Sequence, residues 1–110
     1  MTGKVLVVSM VLGLVAAGSL AAQQPADGAA TYARTCASCH GPQGAPSAAM
    51  VHAMAGLPDF TAASMASVTD SVLRDVITNG KGRMMAAYKG RLTPEQITAV
   101  LAYIRTLAKH

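Results

Sequence analysis

The last apolar stripe of the chain has helical spacing and a complete start signal. Thr93-Pro94-Glu95-Gln96 places a threonine at the N-cap, a proline at the first helical position and a glutamine at the third, which is the pattern of a capping box. The apolar residues that follow recur every three or four positions: Ile97, Val100, Leu101, Ile104 and Leu107. This pattern predicts a C-terminal helix that buries one face.

Two shorter helices are predicted before it. The segment from Pro25 to Arg34 has Asp27 as an N-cap and helix-compatible residues after it. A second helix is expected to begin at Thr69 or Asp70 and to end at Asn79-Gly80, a C-cap pair. Its expected buried face consists of Val72, Leu73, Val76 and Ile77.

The stretch between these helices is interrupted by glycine and proline. Residues 41–60 contain Gly41, Pro42, Gly44, Pro46, Gly56 and Pro58, too many for one long helix. We expect a loop with one or two helical turns around Ala48 to Met54. No segment alternates between apolar and polar residues for long enough to predict a strand, so the fold class is all-α.

The N-terminus has the three-part layout of a secretory signal peptide. Lys4 precedes an apolar run from Val5 to about Gly18, and the small residues 19–22 lead into polar Gln23-Gln24. An uncleaved membrane anchor is the alternative, but glycine and serine dilute the run and no basic stop sequence follows. We expect residues 1–22 to be removed by cleavage after Ala21 or Ala22. Residues 23–110 then form one small exported domain.

Cys36-Ala37-Ser38-Cys39-His40 carries the chemistry. Two thiols three positions apart, followed at once by an imidazole, are what covalent attachment of a c-type haem requires: each sulfur adds to one vinyl group, and the histidine ligates the iron. A thioredoxin-like dithiol or half of a zinc site has the same cysteine spacing. The first needs a βαβ context, and the second needs two more ligands, for which His52 and His110 lie at no recognised spacing.

Composition and compartment agree with a haem. The chain has no tryptophan and one phenylalanine, so an enclosed haem would supply the large apolar centre that a small core lacks. In bacteria haem is attached covalently outside the cytoplasm, so the haem motif and the predicted export signal support each other. The sequence therefore predicts one haem c, bound through Cys36 and Cys39, in a periplasmic protein.

With these motifs in order, the chain resembles a class I c-type cytochrome over nearly all of residues 23–110. The resemblance rests on Gly28 and Tyr32 before the C-x-x-C-H motif, on the run 79–82, and on Val100-x-x-Tyr103 in the last helix. It implies a cytochrome c fold, with three to five short helices around one covalent haem. It also implies that the first and last helices cross, with Gly28, Tyr32, Val100 and Tyr103 at the crossing.

The resemblance also points to a second iron ligand, a methionine. The family pattern is Met-Pro-Ala-aromatic, with a leucine seven positions beyond the methionine; Met85 fits it with Tyr88 and Leu92, and Ala86 stands where proline is usual. Met84 would place the aromatic and the leucine one position late. The predicted iron ligands are therefore His40 and Met85.

Three smaller predictions concern the other ligand-type residues. Met50-x-His52-x-Met54 has the ligand types for Cu(I), but residues two apart on a helix point away from each other, so we expect His52 to be exposed and the methionines to pack over the haem. His110 is expected to be disordered. The carbonyl of Pro46 or Pro58 is expected to accept a hydrogen bond from the free ring nitrogen of His40.

The leading function is an electron carrier between a reductase or dehydrogenase and a terminal acceptor, not an enzyme. Two alternatives stay open: a haem subunit of a larger periplasmic dehydrogenase or oxidase, and a haem enzyme or sensor with an open sixth site, for instance with peroxidase-like activity. The chain carries a net charge of +4, and Lys81, Arg83, Lys89 and Arg91 flank the Met85 loop, which predicts redox partners with acidic docking surfaces. The alternative is a solvated loop with ordinary surface charges. No nucleic acid and, after cleavage, no membrane is expected as a partner; the chain would act as a monomer or a complex subunit.

Overall fold

The computed structural model describes residues 2–5, 7–14 and 26–108. Within them lie five α-helices and one 3₁₀-helix: α1 (Gly28–Thr35), α2 (Ala37–His40), α3 (Ala48–Ala53), the 3₁₀-helix (Ala63–Ser67), α4 (Asp70–Asn79) and α5 (Pro94–Leu107). The extended pairing in these ranges is one isolated antiparallel bridge between Lys81 and Met85, and no strand is present there. The prediction of an all-α fold is confirmed.

The predicted N-caps hold the helix starts. Asp27 Oδ1 accepts a hydrogen bond from Ala30 N at 3.0 Å, and Thr69 Oγ1 accepts one from Val72 N at 3.2 Å. At α5 the capping box is complete, because Thr93 Oγ1 accepts from Gln96 N while Gln96 Oε1 accepts from Thr93 N. Each cap satisfies backbone donors that the first helical turn leaves unpaired.

The first and last helices cross at Gly28, as predicted. A Cβ atom at this position would lie 2.1 Å from the carbonyl oxygen of Ala99, so only a glycine lets α1 approach α5 this closely. Beside the crossing, the rings of Tyr32 and Tyr103 pack with their centroids 5.3 Å apart, and Val100 is 0% exposed. Helix α2 packs against α1 and helix α4 against α5, so this pair lies at the centre of the fold.

Helix α4 contributes less to the core than its apolar stripe predicts. Ile77 is buried, and Leu73 and Val76 are half-buried, but Val72 is 52% exposed, so its predicted burial was wrong. The apolar face of α4 is wider than the part that α5 covers. Val72, in the first turn of α4, lies at the uncovered edge of that face.

The 3₁₀-helix and the contacts that hold it were not predicted from the sequence. Its Met65 is buried in the core, and Arg105 of α5 reaches back to it. The guanidinium donates to Met65 O at 2.8 Å and to Val68 O, and it pairs with Asp70 at 2.8 Å. One side chain therefore ties the 3₁₀-helix and the start of α4 to α5.

No helix in the described residues is long and apolar enough to cross a membrane. The expected cleavage site at Ala21 or Ala22 and the predicted disorder of His110 lie outside the described residues.

Candidate haem site

Helix α2 brings the two thiols and the imidazole onto one face. Cys36 ends α1 and begins α2, and its carbonyl accepts from Cys39 N at 3.2 Å and from His40 N at 3.0 Å. Residues three and four positions apart share a helix face, so Cys36, Cys39 and His40 are neighbours. One helical turn therefore presents all three functional groups of the motif together.

Cys36 and Cys39 do not form a disulfide, and each is half-buried. Burial raises the pKa of Cys36, and the hydrogen bond with Thr35 opposes this shift. The Thr35 hydroxyl lies 3.4 Å from Cys36 Sγ and donates to Thr31 O at 2.6 Å.

His40 is enclosed and neutral. Its side chain is 7% exposed and stacks on Phe60, with ring centroids 4.6 Å apart and planes at 19°. Burial lowers the pKa of His40, which favours the neutral imidazole that binds metals. Nδ1 is fully buried and has no hydrogen-bond partner. A ligand histidine almost always donates its other ring N–H to a carbonyl, a carboxylate or a water, and no described residue accepts from Nδ1 of His40.

The predicted bond from His40 to a proline carbonyl is not present. Neither Pro46 nor Pro58 accepts from Nδ1. Gly41 has a φ of 85°, and a Cβ on it would lie 2.0 Å from the carbonyl oxygen of Ala45, the residue before Pro46. The turn therefore places the Ala45 carbonyl close to the backbone of Gly41. The Gly41 carbonyl accepts from the Tyr32 hydroxyl at 2.7 Å.

The predicted methionine ligand lies on the loop between α4 and α5. Lys81 and Met85 exchange two backbone hydrogen bonds, of 3.0 and 3.3 Å, which close a tight turn. Gly80, with a φ of 77°, starts it, because a Cβ there would lie 2.6 Å from Met85 O. Met85 is half-buried and packs against the core, whereas Met84 is 69% exposed. Of the two adjacent thioethers, the one of Met85 therefore faces the core and the one of Met84 faces solvent.

The exit of this loop is anchored at Tyr88. Its backbone N–H donates to Ile77 O at 3.0 Å, and Lys89 N donates to Thr78 O at 3.1 Å, both at the end of α4. The Tyr88 ring is half-buried against the core, and the Arg91 guanidinium lies over it, 4.9 Å from the ring centroid.

Four exposed cations surround the loop: Lys81, Arg83, Lys89 and Arg91. In the part of the chain that the structure describes, none of them forms an ion pair. The segment 80–92 contains no acidic residue. The loop surface is therefore positively charged without local compensation.

The predicted exposure of His52 in α3 is confirmed, and the packing of Met50 and Met54 over the haem stays a prediction. His52 is exposed, while Met50 and Met54 are half-buried. Across residues 2–5, 7–14 and 26–108, no three His, Cys, Asp or Glu side chains are grouped in a way that could hold a metal ion.

Comparison with known proteins identifies the family. Residues 23–104 match the family described as cytochrome c oxidase, cbb3-type, subunit III. The chain belongs to this family. It is a c-type cytochrome, and covalently bound haem c is its cofactor.

Individual relatives agree with this assignment. The chain is 34% identical over 83 residues to the cbb3-type cytochrome c oxidase subunit FixP of Bradyrhizobium sp. (strain ORS 278), covering 74% of this chain and 27% of that protein. It thus spans about a quarter of the length of this curated relative.

Two solved structures share the fold. The KustC0563 c-type cytochrome has a TM-score of 0.68 at 31% identity, over 76% of this chain and 99% of that one. A chain of the Kuenenia stuttgartiensis reducing HAO-like protein complex Kustc0457/Kustc0458 has a TM-score of 0.59 at 25% identity, over 74% of this chain and 41% of that one.

The donor set of this cytochrome fits a haem c. The chain has two cysteines, both free thiols on one face with His40, and a half-buried thioether on a separate loop. Two thiols match two vinyl groups, and an imidazole with a thioether is a known axial pair.

Phe60 is the site residue that sequence reasoning did not predict. The only signal available was that it is the single phenylalanine of the chain. Its stacking on His40 depends on the path of the intervening loop, where Phe60 N donates to Gly44 O at 2.9 Å.

Proposed function

We propose that this cytochrome is a periplasmic monohaem carrier that passes single electrons from a reductase or dehydrogenase to a terminal acceptor, with His40 and Met85 as iron ligands. The observation that carries the proposal is the opposed placement of the methionines: Met85 packs against the core while its neighbour Met84 is exposed. When bound, the haem supplies one-electron chemistry, and a thioether ligand favours its ferrous state.

Each of the chain's own residues has a distinct part in this role. Cys36 and Cys39 would hold the haem as thioethers. His40, neutral and stacked on Phe60, would be kept in one orientation by that stacking. Met85, on a turn closed by two backbone hydrogen bonds, would close the second axial side and exclude exogenous ligands.

The ligand assignment is tested by two single variants. Met85→Ala is expected to abolish the sulfur-to-iron charge-transfer band of the oxidised protein and to lower its reduction potential, because a soft ligand that stabilises Fe(II) is lost. Met84→Ala is the matched control, one residue away on the same turn, and should leave both nearly unchanged. If Met84→Ala abolishes the band and Met85→Ala does not, the ligand is Met84.

We further propose that the cationic loop surface docks on acidic partners. Four exposed cations without ion pairs surround the loop that holds the proposed ligand, so the charge lies where the haem would be reached by a partner. Such a patch raises the encounter rate with an acidic surface, and salt screens it over a Debye length of roughly 8–10 Å.

The N-terminal pattern of Lys4, an apolar run and small residues supports export, with residues 1–22 as the proposed signal peptide and 23–110 as the cytochrome domain. N-terminal sequencing of the secreted protein tests it: a mature chain that starts at Ala22 or Gln23 supports cleavage, and retained residues 5–18 contradict it.

A second candidate is a haem subunit of a larger redox complex. The observation that favours it is the kind of relative found: one is a subunit of a cbb3-type oxidase, and another is a chain of an HAO-like complex. Native mass measurement of the protein purified gently from its own cells decides between the two. A single chain with one haem supports the free carrier, and a stable larger assembly supports the subunit.

A further inference from the structure

The Tyr88 hydroxyl joins two parts of the site that are far apart in sequence. It donates to the carbonyl oxygen of Thr35 at 3.1 Å, across 53 positions of the chain. Thr35 is the last residue of α1 and directly precedes Cys36. Among the described residues, this carbonyl receives no backbone N–H, so Tyr88 satisfies an acceptor that the end of α1 leaves open.

The remaining contacts of Tyr88 make it a fixed point. Its own carbonyl accepts from Arg91 N and Leu92 N, both at 2.8 Å, and its N–H donates to Ile77 O. Its ring packs against the core. Backbone and side chain together therefore connect Tyr88 to α1, to α4 and to the approach to α5.

The segment between Met85 and Tyr88 has little support of its own. Ala86 and Ala87 are exposed, and neither N–H forms a backbone hydrogen bond in the described structure. Alanine also leaves φ free, in contrast to proline. The position of Met85 therefore depends on its two ends: the bridge to Lys81 on one side and Tyr88 on the other.

We propose that Tyr88 is a positioning residue for the sixth iron ligand: its hydrogen bond to Thr35 straps the methionine loop to the segment that carries Cys36, and so holds Met85 in place against exogenous ligands. This rests on the proposed function, in which Met85 ligates the iron. The strap links the loop bearing one axial ligand to the helix end that leads into Cys36 and His40, so the two halves of the site move as one unit.

The experiment uses the oxidised holoprotein and imidazole as the exogenous ligand. Tyr88→Phe keeps the ring in the core and removes only the hydroxyl. We expect imidazole to displace the sulfur-to-iron band at about 2- to 10-fold lower concentration than in wild type, the range that one net hydrogen bond corresponds to. The displacement rate at saturating imidazole, which reports loop opening, should rise by a similar factor.

Tyr103→Phe is the matched control. Tyr103 is another partly buried tyrosine, but its hydroxyl has no hydrogen-bond partner among the described residues, so this variant should behave as wild type toward imidazole.

The outcomes separate the two proposals. If Tyr88→Phe has the wild-type imidazole affinity and opening rate, the strap is refuted, even if the variant unfolds at lower denaturant concentration; that result would show a purely structural tyrosine. If oxidised wild type lacks the sulfur band, Met85 ligation fails and the strap fails with it. The proposal is supported if the opening rate rises in Tyr88→Phe and stays at the wild-type value in Tyr103→Phe.

Discussion

Replacing Gly28 by alanine tests the helix crossing on which the fold is built. The added methyl carbon would lie 2.1 Å from the carbonyl oxygen of Ala99, 2.7 Å from its carbonyl carbon and 3.1 Å from Tyr103 Cβ. Two of these atoms belong to the backbone of α5, which cannot rotate away. Since non-bonded carbon atoms rest near ~3.5–4 Å, α1 and α5 must separate by about 1 Å.

Two opposing terms set the size of the effect. Alanine has a higher helix propensity than glycine, worth at most ~1 kcal/mol. Overpacking of a tight contact costs about 1–3 kcal/mol, and separating the helices also loosens Tyr32 and Val100, which are almost completely buried at the crossing. The cost exceeds the gain, so we expect Gly28→Ala to lower the free energy of unfolding by about 1–3 kcal/mol.

Denaturant unfolding of the holoprotein, followed by far-UV circular dichroism, measures this difference as a lower midpoint with an unchanged slope. Gly90→Ala is the control, because a Cβ at Gly90 meets no atom within 4 Å. It should leave the free energy of unfolding unchanged or raise it by up to ~1 kcal/mol. If Gly28→Ala proves as stable as Gly90→Ala, the close approach of α1 and α5 at this residue is refuted.

Three further predictions address attachment, pH and docking. Changing both Cys36 and Cys39 to serine should leave a chain from which acidified organic solvent extracts any haem present; covalently retained haem would contradict attachment through these thiols. Burial raises the pKa of Tyr32 to about 12, so the folded state favours the neutral phenol. The stability that depends on this phenol is complete below pH 10 and is lost as the pH rises toward 12, a loss that Tyr32→Phe should abolish in unfolding curves taken across this range. The rate of electron transfer to an acidic acceptor should fall as salt is raised. The double variant Lys81→Glu, Lys89→Glu should lower this rate at low salt without altering the absorption spectrum. A rate that stays constant or rises with salt would show that docking relies on apolar contact.

Features that depend on neighbouring residues were predicted well. Asp27 and Thr93 were predicted as N-caps from local sequence, and Thr69 was one of two candidates beside Asp70. Each of the three caps is formed within three residues of the chain. The crossing at Gly28 followed from the family resemblance and is confirmed by the contact with Ala99. Local chemistry and a shared pattern sufficed for these elements.

Features that join distant segments were not predicted. Arg105 binds carbonyls of Met65 and Val68, which carry no signal in their side chains. The exposure of Val72 was missed for a related reason, since periodicity identifies an apolar face but not how much of it a partner covers.

The candidate site divides in the same way. The C-x-x-C-H motif is local, so its residues could be named from the sequence, and the choice of Met85 over Met84 is a proposal from spacing that agrees with their different exposures. The stacking of Phe60 on His40 and the bond from Tyr88 to Thr35 arise from loop paths, which no spacing rule describes.

The crossing of α1 with α5 also has a consequence for the timing of assembly. The partner of α1 is the last helix of the domain, so a chain that emerges from its N-terminus presents Cys36 and Cys39 long before Ala99 and Tyr103 exist to cover α1. Contacts between segments so distant in sequence are slow to form, because the loop between them must first be closed. The order of the helices thus leaves an interval in which α1, which leads directly into both thiols, is still uncovered, and packing of α5 ends it.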